Sequence, residues 1–344
     1  MSWLETELEE QPRALARLIE SQSDAARRIA RVFARDDVRY VLIASRGSSS
    51  NAARYAQYLL GRAHRVPVMF ATPSLYTVYE QPPRLDGAVV VGISQSGASP
   101  DVASVLAEAR RQDRPTIALT NNPVSPLARE ADELLLLAAG EELAVAATKT
   151  YLNSLGAIAL LFAAADGSVA ESELARMPDL VGEQIGLSLR SAPPLEEYAR
   201  VVGATVVARG VNYGTAFEIA LKIRELSGLV VEAYSPADLM HGPIAAVRRE
   251  WPVVVVAPSG PAHASVADVV PPLRERGARL VVVSDVPALL RDAHTRLPLV
   301  ANVPEWLSPL TAVIPGQVTA LQLAQLRGLD VDRPAGLAKV TLTR

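Results

Sequence analysis

Residues 3–35 place apolar and charged side chains at helical spacing, as in LARLIESQSDAARRIARVF, and predict a helical segment over 1–35. The rhythm then changes to short β-rich runs that end in small polar residues and lead into helical patterns. RYVLIAS leads to RGSSSNAARYAQYLLGRA, and AVVVGIS leads to QSGASPDVASVLAEARRQ. PTIALTN and ELLLLAA follow, then a helix from about Lys149 to Ala165. After residue 200 the pattern restarts: ATVVARG leads to VNYGTAFEIALKIRELSG, PVVVVAPSG to PAHASVADVVPPLRERG, and ARLVVVSD follows. Continuous apolar strands alternating with helices imply α/β architecture, a parallel sheet covered on both faces. Arg46-Gly47 recurs as Arg209-Gly210 and VVVGISQSG is echoed by VVVVAPSG, which reads as a duplicated α/β unit. The expected divisions are a helical segment at 1–35, a first domain at 36–168, a helical linker at 169–200, a second domain at 201–329 and a tail at 330–344.

Bulk composition narrows the function classes. The 344 residues suit about two domains, each able to bury a core. A net charge of -3 with no long basic run favours neither a nucleic-acid nor a membrane-surface partner. The absence of cysteine excludes disulfides, thiol catalysis and cysteine-type metal sites. Apolar runs such as 134–139 are too short to span a bilayer, and the acidic start ETELEEQ does not suit a secretory leader. A cytoplasmic protein is expected.

Two turns, SRGSSSN at 45–51 and SQSGAS at 94–99, each end a β run and open a helix. Ligands of open α/β sheets sit beyond the carboxyl ends of the strands. Free N–H groups, a positive helix end and short hydroxyls at such a turn suit a phosphate monoester, with Gly47 and Gly97 allowing close backbone approach. Neither turn has the spacing of a nucleoside-triphosphate or dinucleotide loop. The alternative is ordinary helix capping by serine.

Of 34 Lys plus Arg only Lys149, Lys222 and Lys339 are lysine. An amine offers a compact ammonium, or a nucleophile able to form an imine, which a guanidinium does not. Glu218, Lys222 and Glu225 share one helix face at i, i+4 and i+7. The bland reading of that group is a solvated helix pair. His241, one of four histidines, sits in DLMHGP, where Gly-Pro fixes a loop; a carboxylate and an imidazole beside a sugar phosphate could shuttle protons. His64, His263 and His294 are assigned no function. Lys339 lies in DVDRPAGLAKVTLTR, where Pro334 and Gly336 exclude a helix and composition alone suggests a loose tail.

SQSG, ALKxxExSG, EAYSPADLMHGP and the DVDRPxxLAKV tail together resemble the sugar isomerase (SIS) domain family over residues 30–344, in particular its tandem enzymes acting on aminosugar phosphates. The resemblance implies two tandem domains, each a flavodoxin-like three-layer α/β/α sandwich. It places phosphate contacts at Ser48, Ser49, Ser94, Gln95, Ser96 and Ser99, with Gly47 in the same turn, and sugar-lining contacts at Val145 and Ala147. It makes Glu225 the catalytic carboxylate with Lys222 beside it, His241 the ring-opening group donated by the second subunit of a homodimer, and Lys339 the group that engages the sugar carbonyl. No metal and no organic cofactor is implied, because the C–H to be broken lies next to an aldehyde or imine. The cysteine-led glutaminase domain of glucosamine-6-phosphate synthase has no counterpart here, so glutamine hydrolysis is not expected. Arg46, SQSGASPD and the late KVT are similar to type II glucosamine-6-phosphate deaminases, whereas Ala147 stands where a serine is usual. The implied reaction is conversion of glucosamine 6-phosphate to fructose 6-phosphate and ammonia. The alternatives are an ammonia-using aminotransferase-like isomerase, a fructosamine-6-phosphate deglycase and a non-catalytic sugar-phosphate sensor.

Overall fold

The computed structural model of the chain describes residues 1–166, 171–191, 193–291 and 293–341; the domain boundary expected between 168 and 169 and the last three positions of the tail lie outside the described residues. The first sheet contains β1 (Tyr40–Ser45), β2 (Val68–Phe70), β3 (Ala88–Ile93), β4 (Thr116–Thr120) and β5 (Glu133–Leu136). Its order is β2-β1-β3-β4-β5, with every pairing parallel. The second contains β6 (Gly203–Val207), β7 (Val230–Tyr234), β8 (Pro252–Val256), β9 (Arg279–Ser284) and β10 (Thr295–Pro298). Its parallel order β7-β6-β8-β9-β10 repeats that of the first, the duplication implied by the sequence. In both sheets the order reverses between the first and third strands, the switch point at which α/β proteins of this topology bind ligands.

The unbroken apolar runs became the central strands, except ELLLLAA, which became the edge strand β5. β3 and β8 are buried at every residue, as strands covered on both faces must be. The sequence pattern did not announce β2, β7 or β10, and all three are sheet edges. β2 is only three residues long with Met69 and Phe70 exposed, β7 mixes exposed and buried positions, and β10 ends at Pro298. An edge strand buries less and so carries a weaker apolar signal.

Helices complete each layer. Lys149–Ala165 packs against Gln11–Phe33 and Gly47–His64. Gly156 lets the first pair approach: a Cβ there would lie 2.5 Å from Leu15 Cδ1 and 2.9 Å from Leu18 Cδ2. In the second sheet's layer, Tyr213–Ser227 packs on Ser308–Leu326, where Gly316 makes room for Ile219. No periodic pattern marks Ser308–Leu326, because apolar residues surround it and Pro315 interrupts it.

The chain divides into two compact units that do not simply follow sequence order. The β1–β5 unit holds Glu10–Glu142, Ala147–Pro178 and the chain from Ala338 on. The β6–β10 unit holds Met1–Glu9, Leu143–Ala146 and Asp179–Leu337. Accordingly Leu4, Ala144 and Ala146 join the buried cluster of Val206, Val254 and Val281, and the end of the chain returns to the first sheet's unit.

Candidate functional site

In the β1–β5 unit both serine-rich turns follow strands adjacent at the switch point, β1 and β3. Gly47 has φ +50° and opens the helix Gly47–His64, with open space where its Cβ would be. Gly97 has φ +62°, and a Cβ there would strike the Ser125 side chain, so only glycine fits. The capping alternative can be checked at each helix start. Ser125 and Ser235 cap their helices, accepting from the N–H groups of Ala128 and Asp238. Ser99 occupies the N-cap of Pro100–Arg111 and makes no such bond; Arg46, at the N-cap of Gly47–His64, makes none either. Ser94 Oγ instead accepts from Gly97 N–H at 3.1 Å and Ser96 Oγ from Ala98 N–H at 3.2 Å, bonds that shape the turn. Ser48, Ser49, Gln95, Ser96 and Ser99 are half-buried and Ser94 is buried. An ion pair braces the two turns: Arg46 Nε donates to Asp101 Oδ2 at 2.7 Å, and Asp101 is buried.

Ala147 and Lys339 belong to this same unit. The Lys339 ammonium donates to Glu142 Oε2 at 2.6 Å, so the tail is tied down at this residue. Glu142 is a residue that the sequence motifs do not single out. It lies in EEL, with no periodic pattern to mark it and a partner 197 positions away. Burial pushes its carboxyl up, but the Lys339 charge and hydrogen bonds from Lys339 and Thr150 outweigh this and hold it below its ordinary value. Lys149, buried at the start of its helix, donates to Glu10 at 2.6 Å.

The β6–β10 unit carries the ionisable set Glu218, Lys222 and Glu225. On Tyr213–Ser227 the Lys222 ammonium lies 2.5 Å from Glu225 Oε2 and 3.5 Å from Glu218 Oε1. Glu218 and Lys222 are buried and Glu225 is 23% exposed, so this is not the solvated pair of the bland reading. The flanking cation orients the one carboxylate that reaches solvent. His241 follows the short helix Pro236–Met240 as its C-cap and is exposed. Among the described residues no hydrogen bond or ion pair links His241 to Glu225. Val145 donates its N–H to the Asp332 carbonyl at 3.0 Å, and Glu7 accepts from the N–H groups of Leu143 and Ala144. The N-terminal helix Trp3–Glu9 is thereby part of the support of the loop that carries Val145. Among the described residues no group of three His, Asp or Glu has the geometry to hold a metal ion. No helix among them is long and apolar enough to cross a membrane.

Comparison with known proteins agrees with this architecture. The SIS domain model matches residues 35–164 and 203–327. The glutamine–fructose-6-phosphate aminotransferase (isomerizing) of Thermus thermophilus is 33% identical over 304 residues, covering 85% of this chain and 50% of the relative. The chain thus spans about half the length of the curated relatives it matches. The C-terminal domain of glucosamine-fructose-6-phosphate aminotransferase from Francisella tularensis superposes with a TM-score of 0.84 at 25% identity, over 97% of this chain and 98% of that one. Glucosamine-6-phosphate deaminase from Thermotoga maritima shares the fold, with a TM-score of 0.79 at 21% identity over 99% and 100% of the two chains. Both sheets fall within the matched segments, and the protein belongs to the SIS domain family, with two such domains in tandem.

Proposed function

We propose that the chain is a phosphosugar isomerase acting on an aminosugar phosphate, with conversion of glucosamine 6-phosphate to fructose 6-phosphate and ammonia as its reaction. The observation that carries this reading is the Glu218–Lys222–Glu225 set: a buried cation between two carboxylates, only one of which is open to a substrate. The turns at Gly47–Ser49 and Ser94–Ser99 support phosphate binding, because each opens a helix whose N-cap side chain makes no capping bond. Anchoring the phosphate fixes the reactive C1–C2 end, and such positioning contributes up to about 7–11 kcal/mol of a barrier.

In this mechanism His241 moves a proton from O1 to O5 to open the pyranose. Glu225 removes the C2 proton to give an enolamine and returns it to C1. The resulting C2 imine takes up water and releases ammonia, leaving the ketose. Lys222 orients Glu225 through their close ion pair. Lys339 faces the carbonyl end, and Val145 and Ala147 line the sugar. The exposure of His241 supports its donation to the site of a second copy in a homodimer. The aminotransferase relatives favour one other reading, the same steps reversed with ammonia supplied from outside.

The test is purified protein with glucosamine 6-phosphate, following ammonia and ketose 6-phosphate together. Equal release of both is expected. Calorimetric binding of the sugar phosphate without turnover would instead identify a sensor. Net amination of fructose 6-phosphate by ammonium, at concentrations where deamination is negligible, would select the reverse direction.

A further inference from the structure

Glu142 makes four hydrogen bonds from a fully buried position. Its Oε1 accepts from the N–H groups of Thr148 and Thr150, both at 3.0 Å. Its Oε2 accepts from Thr150 Oγ1 and Lys339 Nζ, both at 2.6 Å. Three of the four donors lie within eight residues of Glu142. They include N–H groups around the start of the helix Lys149–Ala165, where the helix dipole also favours an anion. The carboxylate is therefore ordered by its own loop, with one lone-pair direction left for a donor from elsewhere. That donor comes from the end of the chain. Every residue from 335 to 341 is exposed except Lys339, so no apolar side chain anchors the segment.

We propose that Glu142 is a positioning residue for Lys339, a preformed buried carboxylate that fixes the tail ammonium within the unit carrying both serine turns. The inference rests on the function proposed above for its catalytic consequence, though not for the tether itself. The geometry also accounts for lysine at this position. Oε1 is taken by two backbone donors, so the carboxylate cannot receive a two-pronged guanidinium. A single compact ammonium on Oε2 is the cation that fits. Ala147, in the same unit, follows Glu142 by five residues.

Trypsin reads the tether without reference to activity. Arg333 precedes Pro334 and is a poor trypsin site, which leaves Lys339 as the cleavage point between Arg327 and the terminus. Glu142→Gln should speed cleavage after Lys339 at least tenfold by mass spectrometry under native conditions. It should also lower kcat at least tenfold with KM changed less than threefold, because the phosphate turns are untouched. Lys339→Met should lose the same kcat, and the double variant should lose no more than either single one. Lys339→Arg should not restore it. Wild-type cleavage kinetics in a folded Glu142→Gln protein, or additive kcat losses in the double variant, would overturn the proposal. If Glu142→Gln does not fold, deuterium uptake over 335–341 in Lys339→Met takes its place: faster uptake supports the tether and unchanged uptake rejects it. Wild-type turnover tests the function reading separately, since the cleavage rate decides the tether whether or not the chain is active.

Discussion

The two domains share one strand order and differ in what occupies equivalent places. In the first, the helix after β3 begins at Ser99 with no side-chain cap. In the second, the turn after β8 is filled by the protein's own acids. Ser259 donates both its N–H and its hydroxyl to Asp285, at 2.6 and 2.5 Å, and Ala262 N–H donates to Glu305 at 2.8 Å. Gly260 lies so close to Glu305 that a Cβ would meet its side chain at 2.7 Å. Where the turn of one copy is shaped by its own serines, that of the other has carboxylates built into the space. The helices after β1 and β6 differ in the opposite sense. Nine and thirteen residues after Arg46 stand Tyr55 and Leu59, both buried; at the same offsets from Arg209 stand Glu218 and Lys222. The duplication therefore kept the scaffold, and under the proposed function it divides the labour, with phosphate binding assigned to one copy and the acid–base groups to the other.

The largest expected effect tests the acid–base half. Glu225→Gln should lower kcat by about 10²–10⁴-fold, the usual contribution of a positioned general base. Sugar-phosphate affinity, measured by calorimetry, should change less than threefold. Loss of affinity in place of turnover would move Glu225 from catalysis to binding and erase the division of labour.

Next comes the buried cation. Lys222→Met leaves Glu218 buried without its ammonium, which should cost about 3–5 kcal/mol in denaturant unfolding. The second-copy comparison sharpens this: the combined change Glu218→Tyr and Lys222→Leu, which copies the residues of the first domain, removes both charges. It should recover much of the lost stability and none of the activity. If the single variant is as stable as the wild type, the pair is not the enclosed unit described here.

A smaller effect separates the two turns. Ser99→Ala should raise KM for the sugar phosphate by about tenfold, since one hydrogen bond to a charged group contributes about 1.5–3 kcal/mol. Ser259→Ala should leave KM unchanged and cost about 1.5–3 kcal/mol of stability, because its hydroxyl donates to the Asp285 carboxylate rather than to a ligand. Equal KM shifts from both variants would end the contrast between an open and a filled turn.

These contrasts show which features the chain's pattern revealed. Long apolar runs announce β1, β3, β4, β6, β8 and β9, because burial on both faces requires continuous apolar sequence, and the run ELLLLAA announces β5 although it is a sheet edge. The edge strands β2, β7 and β10 lack that requirement and left little trace. The serine turns and the i, i+4, i+7 ionisable face were legible because their residues are local. Glu142 and the plugs at Asp285 and Glu305 were not. Each acts on a partner distant in sequence, and an acid in a loop looks the same whether it is solvated or buried. Scarcity was the indirect signal. In a chain that otherwise uses arginine, each of the three lysines meets a carboxylate at close range.

Acidification should separate the tail from the rest by the smallest margin. Glu142 titrates below its ordinary value of 4.5 in the folded protein, despite burial, because the Lys339 charge and its hydrogen bonds favour the carboxylate. A depressed folded pKa means that the stability this group contributes is fully present above the unfolded value and is lost as pH falls through the folded one. Wild-type protein should therefore exceed Glu142→Gln in stability at pH 6–8, with the difference shrinking as pH drops below 4.5. Tail hydrogen exchange over 335–341, referenced to the buried strand β3, should rise in the same window. The Glu142→Gln tail should be fast at every pH. A wild-type tail whose exchange does not change across that window would mean that Glu142 is not the group that holds it.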